Sequence, residues 1–274
     1  MDFLLECIGF PPDHDFDDLA RAARGHAEPV AWRGPAGEHL RMPLGHGLEL
    51  RMDREREAAT WSLYPHFQSN HRLRVAITDL VGIPDSPYDV ILHGWANPPV
   101  EGDPRLAPDS YPIAAVITDA RRLPRRLEVG HVLAVTLAGF ALDVEFSGPF
   151  DPKRPARGRR LDGGAWIGPL GGFASGGGFA SGGGGDAPGG CVELSLPVTA
   201  RRALENPVTR AAVELVEVEL PGRPLALFAS PWQLAVDGLA TPRVGWRLEG
   251  TFLLTGRVAG GLASPTERLG ANFG

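Results

Sequence analysis

Apolar residues recur along most of this chain with a period of two. In residues 48–53, Leu48, Leu50 and Met52 alternate with Glu49, Arg51 and Asp53, the pattern of a strand with one face in a core and the other in water. Leu73, Val75 and Ile77 alternate in the same way over residues 72–77, and residues 60–64 read as a further strand. Residues 39–42 and 48–52 flank Gly45-His46-Gly47 as the arms of a hairpin. The run Phe3-Leu4-Leu5-Glu6-Cys7-Ile8 predicts a short buried strand, ended by Gly9 and Pro11-Pro12, and residues 30–33 predict another. One segment departs from the period. After a capping Asp15, Phe16, Leu19, Ala20 and Ala23 form one apolar stripe, while Asp17 and Asp18 suit the positive end of a helix dipole.

Residues 84–112 are rich in proline, glycine and aspartate and read as loop. Residues 131–146 read as two strands joined near Ala138-Gly139. Further on, residues 192–198, 213–220, 225–228 and 246–254 are strand-like, and Ser230-Pro231-Trp232-Gln233 has the serine, proline and glutamine spacing of a helix start. The sum is an α+β fold, mainly β. Its C-terminal strands suggest a small β-barrel similar to the OB-fold.

Glycine divides this pattern. Residues 163–190 include the tandem 171–182, GGFASG followed by GGFASG, whose backbone has much entropy to lose and few side chains to compensate. The expected organisation is an N-terminal α+β domain over 1–162, a glycine-rich linker or loop over 163–190, a β-rich domain over 191–265 and a tail over 266–274. The order strand, helix, then three or four strands in the first eighty residues resembles the βαβββ unit of the vicinal-oxygen-chelate fold of the glyoxalases, most closely around Gly45-His46-Gly47-Leu48-Glu49-Leu50. That resemblance implies a metal-dependent enzyme.

Composition narrows the function classes. A net charge of −6 gives no general attraction to nucleic acid or anionic membrane. Of 27 basic residues only Lys153 is lysine, which fits the codon bias of a GC-rich bacterial genome. Cys7 and Cys191 stand far apart, no leader pattern opens the chain, and no apolar run reaches membrane-spanning length, so the expected compartment is the cytoplasm.

Candidate chemistry is sparse. His39, His46 and Glu49 offer two imidazoles and a carboxylate, a set suited to zinc, iron or nickel. Strand alternation need not converge them, and their place in or beside a turn predicts mild effects of truncation. Asp143 and Glu145 share a strand face but also fit a solvated edge. The glycine run lacks a Gly-Lys-Ser/Thr end, no Gly-x-Ser-x-Gly elbow occurs, and no cofactor is assigned. Arg121, Arg122, Arg125 and Arg126, and Lys153, Arg154, Arg157, Arg159 and Arg160, form basic clusters able to track a phosphate backbone. The favoured reading is a non-catalytic binding or scaffolding module with a protein partner. Its alternatives are the metal-dependent enzyme and a single-stranded nucleic-acid binder.

Overall fold

The computed structural model describes residues 2–13, 15–34, 36–58, 61–83, 86–120, 123, 127–148, 155–170, 189–239 and 241–259. The chain opens with a helix, α1 (Asp2–Glu6), where the apolar run predicts a strand. A short unbroken apolar run has no period that distinguishes the two. Here every residue from Leu4 to Phe10 is buried, while Phe3 stays exposed. Helix α2 (Phe16–Ala23) forms as expected: Asp15 Oδ1 accepts from the Asp17 and Asp18 amides at 2.8 and 3.1 Å, and Leu19 and Ala23 are buried. The Phe16 side chain lies outside the described set.

Four strands follow in one antiparallel sheet: β1 (Glu28–Pro29), β2 (Gly37–Gly45), β3 (Leu48–Glu55) and β4 (Ser62–Phe67), in that order. The expected strand at residues 30–33 is instead a 3-10 turn, Ala31–Arg33. The β2–β3 hairpin turns through Gly45, His46 and Gly47, all at positive φ.

The remaining strands make one ten-stranded sheet. They are β5 (Leu73–Ile83), β6 (Ser86–Ala96), β7 (Tyr111–Ile117), β8 (Val132–Ser147), β9 (Arg159–Arg160), β10 (Trp166–Pro169), β11 (Cys191–Glu205), β12 (Ala212–Val218), β13 (Leu225–Ala229) and β14 (Arg247–Val258). A short helix, α3 (Pro231–Val236), starts where Ser230 Oγ accepts from the Gln233 amide at 3.1 Å. Strand β6 occupies part of the expected loop 84–112. Pro87 sits near its start, and the Val90-Ile91-Leu92 run supplies apolar residues. Strand β8 runs unbroken through Gly139, because that glycine serves close packing: a Cβ there would press into Leu227 and Leu254.

Strand pairing links the two halves of the sequence. Strands β8 and β14 pair antiparallel from Ser147↔Arg247 to Val135↔Val258. One cycle of pairings runs β8, β5, β6, β7, β14 and back to β8; a second runs β8, β13, β12, β11, β14 and back. The strands after the glycine-rich stretch thus complete their cycle by taking in β8, which precedes it. Within that stretch, β10 pairs with β11. The linker reading of residues 171–188 and the tail at 266–274 lie outside the described residues.

Leu19 is 1% exposed and seats α2 on the core. Leu19→Ala is expected to cost roughly 2–5 kcal/mol in denaturant unfolding, the range for a buried leucine. A loss under about 0.5 kcal/mol would place that side chain at the surface.

Candidate functional site

Residues opposite one another across a ladder share a face of the sheet. The register therefore puts His39 and Arg41 of β2, Glu49, Arg51 and Asp53 of β3, and Tyr64 and His66 of β4 on one face. Leu40, Met42, Leu50, Met52 and Leu63 take the other and join the core with Leu4, Leu5 and Leu19. Alternation in β3 predicts that Glu49, Arg51 and Asp53 face water. They do not: all three are buried, with His39 and His66. Arg33, from the 3-10 turn, and groups at the ends of β6, β7 and β14 cover them.

Two centres organise this ionic layer. At the first, Glu49 Oε1 accepts from Arg51 Nε at 3.2 Å and Nη2 at 3.3 Å, with Arg257 Nη1 at 3.5 Å; Glu49 Oε2 lies 3.7 Å from Arg41 Nη1. His66 Nδ1 is 3.5 Å from the same carboxylate. At the second, Arg33 bridges Asp53 at 3.3 Å and Asp89 at 3.2 Å. Asp53 also meets His39 Nδ1 at 3.0 Å, and Asp89 accepts from Ser86 Oγ at 2.6 Å. The Thr118 carbonyl joins the centres, accepting from Arg33 at 2.6 Å and from Arg51 at 3.0 Å.

Burial dominates the proton affinities here. It pushes Arg51 down to about 10, and the neighbouring Arg257 cation adds to the effect against the opposing pull of Glu49. Burial raises the Asp53 carboxyl, partly offset by Arg33. His66 falls well below its ordinary value through burial and then through Arg51 and Arg257, so it stays neutral at neutral pH.

Over the Glu49 centre opens a cleft of about 200 Å³ lined by Glu28, Pro29, Val30, Ala31, Arg41, Arg51 and Arg257. The sequence carries no signal for the cations that line it: Arg41 and Arg51 lie in the arms of the expected hairpin, and Arg257 falls beyond the strand-like run 246–254. The metal candidates are dispersed. His39 is engaged with Asp53 and Glu49 with arginines, while His46 is exposed in the hairpin turn, on the order of 20 Å from His39 at about 3.3 Å per strand residue. There His46 lines a separate polar cleft of about 300 Å³ with His71, Arg202 and Glu217. Among the described residues, no group of three or more His, Cys, Asp or Glu is placed to hold a metal ion.

The other candidates lie elsewhere. Cys7 is buried, its thiol pushed up to about 12 chiefly by burial, and Asp143 is exposed on β8. Of the basic clusters, Arg157 pairs with Glu193, and Arg159 donates to the carbonyls of Arg105 and Ala107; Arg121, Arg122, Arg125, Arg126, Lys153 and Arg154 lie outside the described residues. Among the described residues no helix is long and apolar enough to cross a membrane. The strand that would open a chelate-type βαβββ unit is helix α1. Compared with protein-family models, with curated proteins and with solved structures, the chain matches none.

Two outcomes follow from the burial of this layer. Glu49→Ala would leave guanidinium groups buried without their shared carboxylate, and a loss of roughly 3–5 kcal/mol is expected in place of the mild effect of a turn residue. A melt within about 0.5 kcal/mol of the parent would mean that the centre is solvated. His66 has a folded pKa below its unfolded value, so its contribution is complete above pH 6.5 and is lost as pH falls toward the folded pKa. The melting temperature should fall below pH 6.5, and His66→Leu should flatten that fall by up to about 1.4 kcal/mol per pH unit. His93, also lowered by burial, retains part of the slope in the variant.

Proposed function

We propose that this protein is a non-catalytic binding module and that the cleft over Glu49 is where it receives a group presented by its partner. One observation carries the reading: a concave, charged surface stands on a buried ionic layer whose groups fix one another's positions. A contact surface built this way is preorganised, so little side-chain entropy is lost when a partner binds. The groups best suited to acid–base chemistry in this layer are held in pairs, Asp53 with His39 and Arg33, and Asp89 with Ser86 and Arg33. Such pairing supports a structural role for them.

The test is to close the cleft without touching its charges. Ala31 is exposed and lines the opening, so Ala31→Trp should fill it and leave the fold intact. A thermal-shift panel of anionic, neutral and cationic compounds on the full chain should yield at least one stabilising ligand whose effect is lost in Ala31→Trp. Ligands that stabilise both proteins equally would place binding elsewhere and end this reading.

A further inference from the structure

The charges around the cleft select among classes of ligand. Arg41, Arg51 and Arg257 all converge on Glu49, within 3.2 to 3.7 Å. Three cations therefore share one buried carboxylate. Glu28 is the other acid at the cleft, and it reaches Arg41 at 2.6 Å from a side chain that is 63% exposed. An exposed pair of this kind contributes little, so the Glu28 carboxylate is easily displaced from Arg41.

We infer that the group this cleft accepts is an oxyanion, a carboxylate or phosphoryl group, held by Arg41 and Arg257 above Arg51, with Glu28 occupying part of its place when the cleft is empty. The inference rests on the binding reading and adds the class of the ligand. Guanidinium presents paired N–H donors in one plane, which match two oxygens of such a group. Arg51 is fixed beneath by Glu49 and the Thr118 carbonyl, and so lends charge without having to reorganise. Its lowered pKa reflects a neighbouring cation as well as burial, and an anion above it would relieve that repulsion. The size is suitable. A single water needs only about 10–15 Å³ of such space, so a cleft of about 200 Å³ has room for one oxyanion and the atoms that carry it. Pro29, Val30 and Ala31 complete its lining.

Titration calorimetry on the full chain tests this with inorganic phosphate, sulfate and succinate, at ionic strength held constant with chloride. At least one of the three should bind saturably. Arg41→Gln and Arg257→Gln should each weaken that binding tenfold or more, and Glu28→Gln should tighten it several-fold, because the internal competitor loses its charge. Arg51 is left unchanged in this series because it also supports the fold. Melting curves verify that each variant remains folded, and a misfolded Arg257→Gln leaves the opposed effects of Arg41→Gln and Glu28→Gln to decide. Binding of phosphate and sulfate alone assigns a phosphoryl-type dianion; binding of succinate alone assigns a carboxylate. The inference is overturned if none of the three binds, if binding is indifferent to Arg41 and Arg257, or if Glu28→Gln weakens it. A neutral ligand that binds and is lost in Ala31→Trp, with no oxyanion binding, would overturn the oxyanion and leave the binding reading standing. If nothing in either experiment binds, both fall.

Discussion

The long antiparallel pairing of β8 with β14 is the constraint on which the architecture depends. Each strand belongs to both cycles of pairings, so every other strand of the two cycles is held directly or at one remove by this pair. The two strands are separated by about a hundred residues of chain, and their closure brings the middle of the chain against residues 247–258. Close approach is built into them. Gly139 on β8 and Gly250 on β14 leave no room for a side chain, the first against Leu227 and Leu254, the second against the Asp143 carbonyl. The same pairing places Arg257, near the end of β14, beside Glu49 of the small sheet.

That last contact is how fold and site become one question. A buried carboxylate is costly unless it is paired, and so is a buried guanidinium. Glu49 therefore depends on cations from β2, β3 and β14, and those cations depend on it. Arg33 does the same with Asp53 and Asp89, tying the small sheet to β6. Apolar attraction is non-directional and does not by itself match particular atoms across two sheets. An ionic interface holds only in a register that matches donors to acceptors, and the cleft above inherits that definition.

Local physics set much of what could be read from the chain. The Asp15 cap and stripe of α2, the hairpin around Gly45-His46-Gly47, the Ser230 start of α3 and the mainly-β character all arise from interactions within a few residues. The departures share a cause as well. Phe3 to Ile8 is apolar enough for a buried strand or a buried helix, and only its neighbours choose. Gly139 looks like a break until the side chains of Leu227 and Leu254 explain it. Residues 86–96 look like loop because proline and glycine weaken a strand, yet β5 and β7 on either side supply its ladder.

By itself the sequence determined the period-two pattern, the capped helix, the tight hairpin turn and the net charge of −6. These need only neighbouring residues and composition. It could also show that Glu49, Arg51 and Asp53 share a face, since alternation along a strand fixes that. It could not show which side of that face water occupies. That was decided by Arg33 folding over it and by Thr118 and Arg257 arriving from 67 and more residues away. Charged residues on one face of a strand look the same whether solvent or a second sheet lies opposite, and only the tertiary structure supplies the opposite charges that make burial tolerable.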